Sequence, residues 1–146
     1  MRQHRLEDLS VYYWLESLLP TFVSVVDGFP EGDMEPPTIS VDVKESWGIP
    51  FELGGAEQTR RFWTIDVFAQ NKSQRDDFAD LIFDELEQNI PVYNYDEGFP
   101  PDTSPTQLGI LKCFERKNTP VYVFKELVRE LYWRRSITFL TEFETI

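Results

Sequence analysis

The stretch RRFWTIDVFAQNKSQRDDFADLIFDELEQNIPVYNY, residues 60–95, decides the fold. Its first third alternates apolar and polar residues, which is typical of a strand with one buried face. Its middle has apolar residues at helical spacing, and Ser73 followed by Asp76 predicts a helix N-terminus with a capping box. The closing IPVYNY is short and extended. The stretch therefore predicts strand, amphipathic helix and strand, and the helix stripe comprises Phe78, Ala79, Ile82, Leu86 and Ile90.

The chain before this stretch adds a helix and two strands. LEDLSVYYWLESLLP has a broad apolar face at helical spacing and ends at Pro20. Residues Thr21–Val26 form a short β-branched run, which predicts a strand. TISVDVKESW alternates again, so it should pair with the strand after Arg60 as a hairpin. The tip of that hairpin, about Glu45–Thr59, is longer than usual, and such loops are often functional.

The last third predicts more strands. LGILKCFERK alternates, NTPVYVFKELV fits a strand or a helical turn, and YWRRSITFLTEF is a long strand that is apolar on both faces. A strand of that kind should be central or covered by a neighbour. We therefore predict one domain over residues 1–146, in the order α-β-β-β-α-β-β-β. The fold class is α+β: a mixed, mostly antiparallel β-sheet packed with two main α-helices, and a long projecting β-hairpin.

Composition narrows the possible partners. The chain has 12 Phe, 6 Tyr and 4 Trp, an aromatic load that suggests a surface covered by another chain. A net charge of −12 disfavours ordinary nucleic-acid recognition, which relies on basic residues. Residues 111–135 nevertheless carry seven basic and three acidic side chains. This asymmetry suggests head-to-tail docking of copies, and the alternative is a set of solvated charged faces.

The sequence has one cysteine and one histidine, and it shows no targeting signal. Cys113 is the only cysteine, so an intrachain disulfide is impossible, and its alternating surroundings predict a buried or half-buried thiol rather than a nucleophile. The only histidine, His4, lies in a terminus that we expect to fray. Neither a signal peptide nor an apolar run of membrane-spanning length is present, so we expect a soluble protein made in a reducing cytoplasm.

The one enzyme pattern is a short nuclease-like phrase. Asp42-Val43-Lys44 on a strand, preceded by Asp27 or Asp33, matches the D…D/E-x-K arrangement in which carboxylates hold Mg²⁺. The alternative, that Asp42 and Lys44 are the polar edge of a hairpin, is preferred because three residues recur by chance. We expect Asp66 to bond a neighbouring strand or an arginine. No phosphate loop, zinc pattern or calcium loop is present, so catalytic residues, metals and cofactors are expected to be absent.

A family resemblance adds to this interpretation. The run FWTIDVFAQNKSQRDDFADLIFDELEQNIPVYNY is similar to the central block of phage tail-terminator proteins, also called tail-completion or head-to-tail joining proteins. PTISVDVKES and YWRRSITFLTEF are also similar to that pattern, which spans about two-thirds of the chain. The resemblance rests on element order and hydrophobicity and involves no catalytic motif. Neck adaptors and stoppers of the same connector are the alternative.

The resemblance implies a non-enzymatic virion protein at the tail–neck junction. Such proteins form a homo-oligomeric ring, commonly a hexamer, that caps the tail tube, contacts neck proteins and lets genomic DNA pass without specific binding. Net negative charge suits such a duct. A generic assembly factor outside phages remains a further alternative. The residues proposed for interfaces lie on the hairpin and on the terminal strand: Trp47, Ile49, Phe51, Leu53, Arg60, Arg134 and Arg135. Folding back onto the subunit is the alternative for the apolar four, and a solvated edge is the alternative for the terminal arginines.

Overall fold

The computed structural model describes residues 2–28, 35–50, 57–121 and 133–145, with side chains for all of these except 2, 47–50, 57 and 58. The elements follow the predicted order, with one added turn of 3-10 helix at Tyr95–Glu97. They are α1 Arg2–Leu18, β1 Ser24–Asp27, β2 Thr38–Pro50, β3 Glu57–Ala69, α2 Lys72–Glu85, β4 Ile90–Tyr93, β5 Gln107–Val121 and β6 Trp133–Thr145.

The strands form one six-stranded sheet in the order β1-β2-β3-β6-β5-β4. The β1–β2 pair is parallel and the other pairs are antiparallel, so the predicted α+β class with a mixed, mostly antiparallel sheet is confirmed. Strand β6 lies between β3 and β5, which confirms that the long terminal strand is central. Its two rows are buried to different degrees: Ile137, Phe139 and Thr141 are buried on one face, whereas the other row has Leu140 buried and Ser136 and Thr138 half-buried.

Both helices pack on the same face of the sheet. Trp63, Ile65 and Val67 alternate along β3 and join the core that α1 and α2 cover. Helix α1 contacts both edge strands, β1 and β4, so the sheet curls around it, while α2 contacts β3, β5 and β6. We call this the helix-covered face. Within the described residues, the opposite face carries no helix, and we call it the helix-free face.

The starts and ends of the helices differ from the sequence prediction. The N-cap of α2 is Asn71, whose side chain accepts a hydrogen bond from the Gln74 amide, so the prediction of Ser73 as the cap is wrong. The Asn71 cap lies two residues earlier and satisfies one of the free amide groups of the first helical turn. Ile90 lies in β4 rather than on the helix stripe. His4 lies inside α1 instead of in a frayed terminus.

The β2–β3 hairpin also differs from the prediction. The ladder continues to the pair Pro50↔Glu57, so most of the predicted loop Glu45–Thr59 is strand. Gly48 and Pro50 suggested a loop, but ladder hydrogen bonds to β3 outweigh the weak strand propensity of glycine and proline. A bulge between Val43 and Glu45 accommodates the change of register.

A second bulge, in β5 between Phe114 and Lys117, changes the direction of the side chains. Glu115 has φ 53° there, in the left-handed region. The extra residue turns Arg116 toward α2, where its guanidinium donates to the carbonyl oxygen of Phe83 and contacts Glu87. The bulge therefore ties β5 to the helix layer.

Candidate interaction surfaces

Among the described residues, the end of the β2–β3 hairpin forms an arm that no other strand of the sheet pairs with. The last β3–β6 pair is Arg60↔Glu142, whereas β2 and β3 stay paired three positions further, to Pro50↔Glu57. On its other side β2 loses β1 after Val41. A two-stranded hairpin has free backbone groups on both edges and is marginally stable alone in water. We call residues 48–50 and 57–59 the arm.

An ion pair and an aromatic ring hold the root of the arm. The Arg60 Nε donates to Glu142 Oε1 at 2.9 Å, and a second guanidinium nitrogen contacts the same oxygen. The guanidinium carbon also lies 5.0 Å from the ring centre of Phe114. Both contacts are within the chain, and they fix the direction in which the arm leaves the sheet.

The helix-free face contains a buried carboxylate. Asp66 is 4% exposed, and its Oδ1 accepts from Arg134 Nη2 at 3.1 Å and from the hydroxyl of Ser136 on the paired strand. The expectation that Asp66 bonds an arginine or a neighbouring strand is confirmed. Ser40 on β2 is also buried on this face, opposite Asp66. This row is polar but satisfied by its own neighbours, so it serves as a structural network.

Four of the seven basic residues in residues 111–135 form ion pairs inside the subunit: Lys112, Arg116, Arg134 and Arg135. Arg135 donates to Asp76 Oδ1 at 3.0 Å and to Asn118. Arg116 pairs with Glu87 at 3.3 Å, and Lys112 with Glu144 at 2.9 Å. The Arg75 and Arg135 guanidinium groups hold the pKa of the Asp76 carboxyl below its usual range. The pairs of Arg116 and Arg135 connect α2 to β5 and β6, and the pair of Lys112 connects β5 to β6, so part of the positive charge of residues 111–135 is used within one chain.

A buried arginine that the sequence did not reveal joins α1 to β3. Arg61 is 4% exposed; its guanidinium lies 2.8 Å from Asp8, 3.5 Å from Glu7 and 4.8 Å from the ring centre of Trp63. Asp8 Oδ1 is close enough for the ion pair but is poorly aligned for a hydrogen bond. Burial raises the pKa of Glu7, which Gln3 and Arg61 partly oppose. The carboxylate partners of Arg61 are over 50 positions away in the sequence. A contact between a helix and a strand so far apart in the chain produces no periodic pattern, so the sequence did not indicate it.

The nuclease-like residues form an exposed pair. Lys44 Nζ lies 3.5 Å from Asp42 Oδ2, and both side chains are nearly half exposed. Asp27 pairs in register with Val41, so it belongs to the helix-covered face, whereas Asp42 lies on the opposite face. Asp33 lies outside the described residues. Among the residues that the structure describes, no group of three potential metal ligands comes together.

An aromatic groove lies between α1 and β4. Its volume is about 360 Å³, and its lining is mostly aromatic and proline: Ser10, Tyr13, Trp14, Ser17, Pro91, Tyr93, Tyr95 and Pro100. The ring centres of Tyr13 and Tyr95 are 5.2 Å apart, and Phe99 stacks on Tyr95 at 5.4 Å. The Tyr93 amide donates to the Ser10 hydroxyl at 3.1 Å, so α1 covers the outer edge of β4. Covering protects an edge strand from unwanted pairing.

The single thiol is chemically quiet. Cys113 lies on β5 and is partly buried, as the alternation predicted. Burial raises the pKa of its thiol to about 12, against a smaller opposing effect of Arg116. Since the thiolate is the nucleophile, little of it exists near neutral pH.

The structure separates the proposed interface residues into three groups. The backbone of Trp47 and Ile49 lies in β2, opposite Arg60 and Gln58, while Phe51 and Leu53 lie outside the described residues. Arg60 stands at the root of the arm. Arg134 and Arg135 lie at the end of β6 opposite to the arm, paired with Asp66 and Asp76, so they belong to a different part of the subunit.

No helix among the described residues is long and apolar enough to span a membrane. A scan of protein-family models and a search of curated proteins found no match to this chain.

Proposed function

We propose that this chain is a non-enzymatic subunit of a homo-oligomeric ring, of the kind formed by phage tail-terminator proteins at the tail–neck junction. The observation that carries the proposal is the arm, whose two strands pair only with each other among the described residues and so leave hydrogen-bonding edges without a neighbouring strand. Such an edge gains most by lying against another chain, because its backbone groups then find partners.

The form of the subunit also supports a ring. The arm leaves one end of the sheet, and the curled, helix-covered body forms the rest, so two different surfaces are available on one molecule. A heterologous contact between two different surfaces generates a closed ring when the rotation closes. The β3–α2–β4 unit is the strand, helix and strand block on which the family resemblance rests.

In this proposal the arm contacts the neighbouring subunit, and the tail tube and the neck proteins bind the two ends of the ring. Genomic DNA passes through the lumen without specific binding, since a net charge of −12 repels phosphate. A neck adaptor or stopper would use the same arm. Location along the particle separates these roles.

The test is assembly state together with location. Purified protein, alone and with isolated tail tubes, is examined by light scattering and negative-stain microscopy, and particles are labelled with antibody against the chain. We expect a hexameric ring at the tube end and label at the neck. Mg²⁺-dependent DNA cleavage that Asp42→Ala abolishes would overturn the proposal and support the nuclease alternative.

A further inference from the structure

One side of α2 combines exposed apolar groups with carboxylates. Phe22 is 64% exposed and Leu81 37%, and the Phe22 ring centre lies 6.3 Å from that of Phe78. On the helix, Leu81 is three or four positions from Phe78, Asp77, Asp84 and Glu85, so these side chains surround it. We call the six residues the α2 ridge.

Within the described part of the chain, the carboxylates of the ridge have no partner, unlike those on the other side of α2. Asp76, Asp80 and Glu87 contact Arg135, Asn118 and Arg116 of the same chain. Asp77, Asp84 and Glu85 have no ion pair or hydrogen bond among the residues that the structure describes. The ridge therefore carries uncompensated negative charge beside exposed aromatic and aliphatic surface.

Most of the described basic side chains already form ion pairs within the subunit. Among the described side chains, nine basic residues form ion pairs within the subunit: Arg5, Lys44, Arg60, Arg61, Arg75, Lys112, Arg116, Arg134 and Arg135. In the same part of the chain, the cations without an ion pair are Lys72 and Lys117. Lys72 belongs to α2 itself, so the described surface of a second copy offers little positive charge to complement the ridge.

We propose that the α2 ridge docks a basic amphipathic segment of a different protein. The apolar anchors of that segment would cover Phe22, Phe78 and Leu81, and its lysines or arginines would pair with Asp77, Asp84 and Glu85. Charge complementarity of this kind speeds encounter and selects the partner, while the apolar contact supplies most of the affinity. This inference concerns a surface separate from the arm and does not depend on the proposed ring.

The test uses a synthetic helical peptide of leucine and lysine as the probe, with fluorescence anisotropy as the readout. Two further probes have the same leucine pattern with glutamate, or the same lysines with serine in place of leucine. We expect binding of the leucine–lysine peptide alone, weakened by added salt because the charges are exposed.

Matched variants locate the site. Asp77→Asn with Asp84→Asn should weaken binding about fivefold, the size expected of two solvent-exposed ion pairs. Glu45→Gln with Asp102→Asn makes the same charge change at exposed positions away from the ridge and should leave binding within about twofold. Phe22→Gln with Leu81→Gln should weaken binding at least as much as the double asparagine change, because exposed apolar anchors are lost.

Three results would overturn the inference. They are absence of binding, equal weakening by the two charge variants, and a fall in oligomer mass caused by Phe22→Gln with Leu81→Gln. Equal weakening would mean that net charge alone attracts the peptide. A fall in mass would mean that the ridge is a contact between copies of this chain. Circular dichroism of each variant confirms that the fold is intact, which we expect because both apolar side chains are exposed.

Discussion

The centre of the sheet and the arm are built from the same two strands, yet they are held in different ways. At the centre, β3 is flanked by β2 and β6. Its Trp63 side chain is 1% exposed and stacks on Phe139. The Trp63 indole N–H donates to the Thr141 hydroxyl at 2.8 Å. In the arm, β2 is the one strand that pairs with β3 within the described part of the chain. Strand β3 is therefore fixed by core packing at its centre, whereas in the arm it pairs only with β2 among the described residues. We take this difference to identify the arm as the region available for assembly.

The largest expected loss of stability comes from removing a core side chain at the centre of the sheet. Trp63→Ala removes a buried ring and an indole hydrogen bond, and we expect a loss of about 3–5 kcal/mol in the free energy of unfolding. The arm change Thr59→Ala should cost less than about 0.5 kcal/mol, since surface substitutions away from special contacts are nearly neutral. Urea unfolding measures both values. Similar losses would show that the arm is part of the cooperative core.

The buried carboxylate of Asp66 should contribute more to stability than the exposed carboxylate of Asp42. Asp66→Ala leaves Arg134 and Ser136 without their buried partner, and we expect a loss of about 2 kcal/mol because Arg134 keeps some access to water. Asp42→Ala breaks an exposed pair with Lys44 and should cost less than about 1 kcal/mol. Thermal and urea unfolding of the two variants at one pH compare them. Equal costs would contradict the structural role assigned to Asp66.

The two bulges should respond with opposite signs to glycine. Glu115 has φ 53°, so Glu115→Gly relieves strain and should stabilise the protein by up to about 1 kcal/mol. Lys44, at the bulge of β2, is not among the non-glycine residues with positive φ. Lys44→Gly should therefore destabilise by about 0.5–1 kcal/mol through added freedom in the unfolded chain. Destabilisation by both changes would show that Glu115 is unstrained.

The smallest expected effect is the pH dependence of stability that the buried carboxyl of Glu7 causes. Burial raises the pKa of Glu7 in the folded state, so its contribution to stability is complete below its unfolded pKa and is lost as pH rises through the folded pKa. Glu7→Gln should therefore gain stability relative to wild type on going from pH 4 to pH 7. Glu45→Gln, at an exposed position on β2, is the matched control for the loss of one carboxylate. Urea unfolding across this pH range measures both, and a trend of opposite sign for Glu7→Gln would contradict the assignment.

The features of the fold that depend on local apolar periodicity were predicted from the sequence. The element order, the amphipathic α2 and the central position of β6 followed from apolar spacing in residues 60–95 and 132–143. It missed the extent of the arm, because Gly48 and Pro50 have poor strand propensity that ladder pairing overrides. Asn71 and Ser73 are both good caps, so composition alone could not place the start of α2.

The candidate surfaces were less predictable than the fold. Arg134 and Arg135 looked like residues for contacting a neighbouring subunit, but their partners, Asp66 and Asp76, lie within the same chain and 59 or more positions away in sequence. Pairing over such distances depends on strand register, which composition does not reveal. The hairpin was found from sequence, whereas the α2 ridge became visible only once the paired acids could be separated from the unpaired ones.

The most direct test of the central claim shortens the arm without touching the centre. Trp47 and Arg60 face each other across the hairpin, so residues 48–59 can be replaced by Asn-Gly, a two-residue turn that suits such a pair. All β3–β6 pairs remain, since they begin at Arg60. Light scattering and negative-stain microscopy with tail tubes then compare the two proteins. The account predicts rings from the full chain and a folded monomer from the shortened one; rings formed equally well by the shortened chain would contradict it.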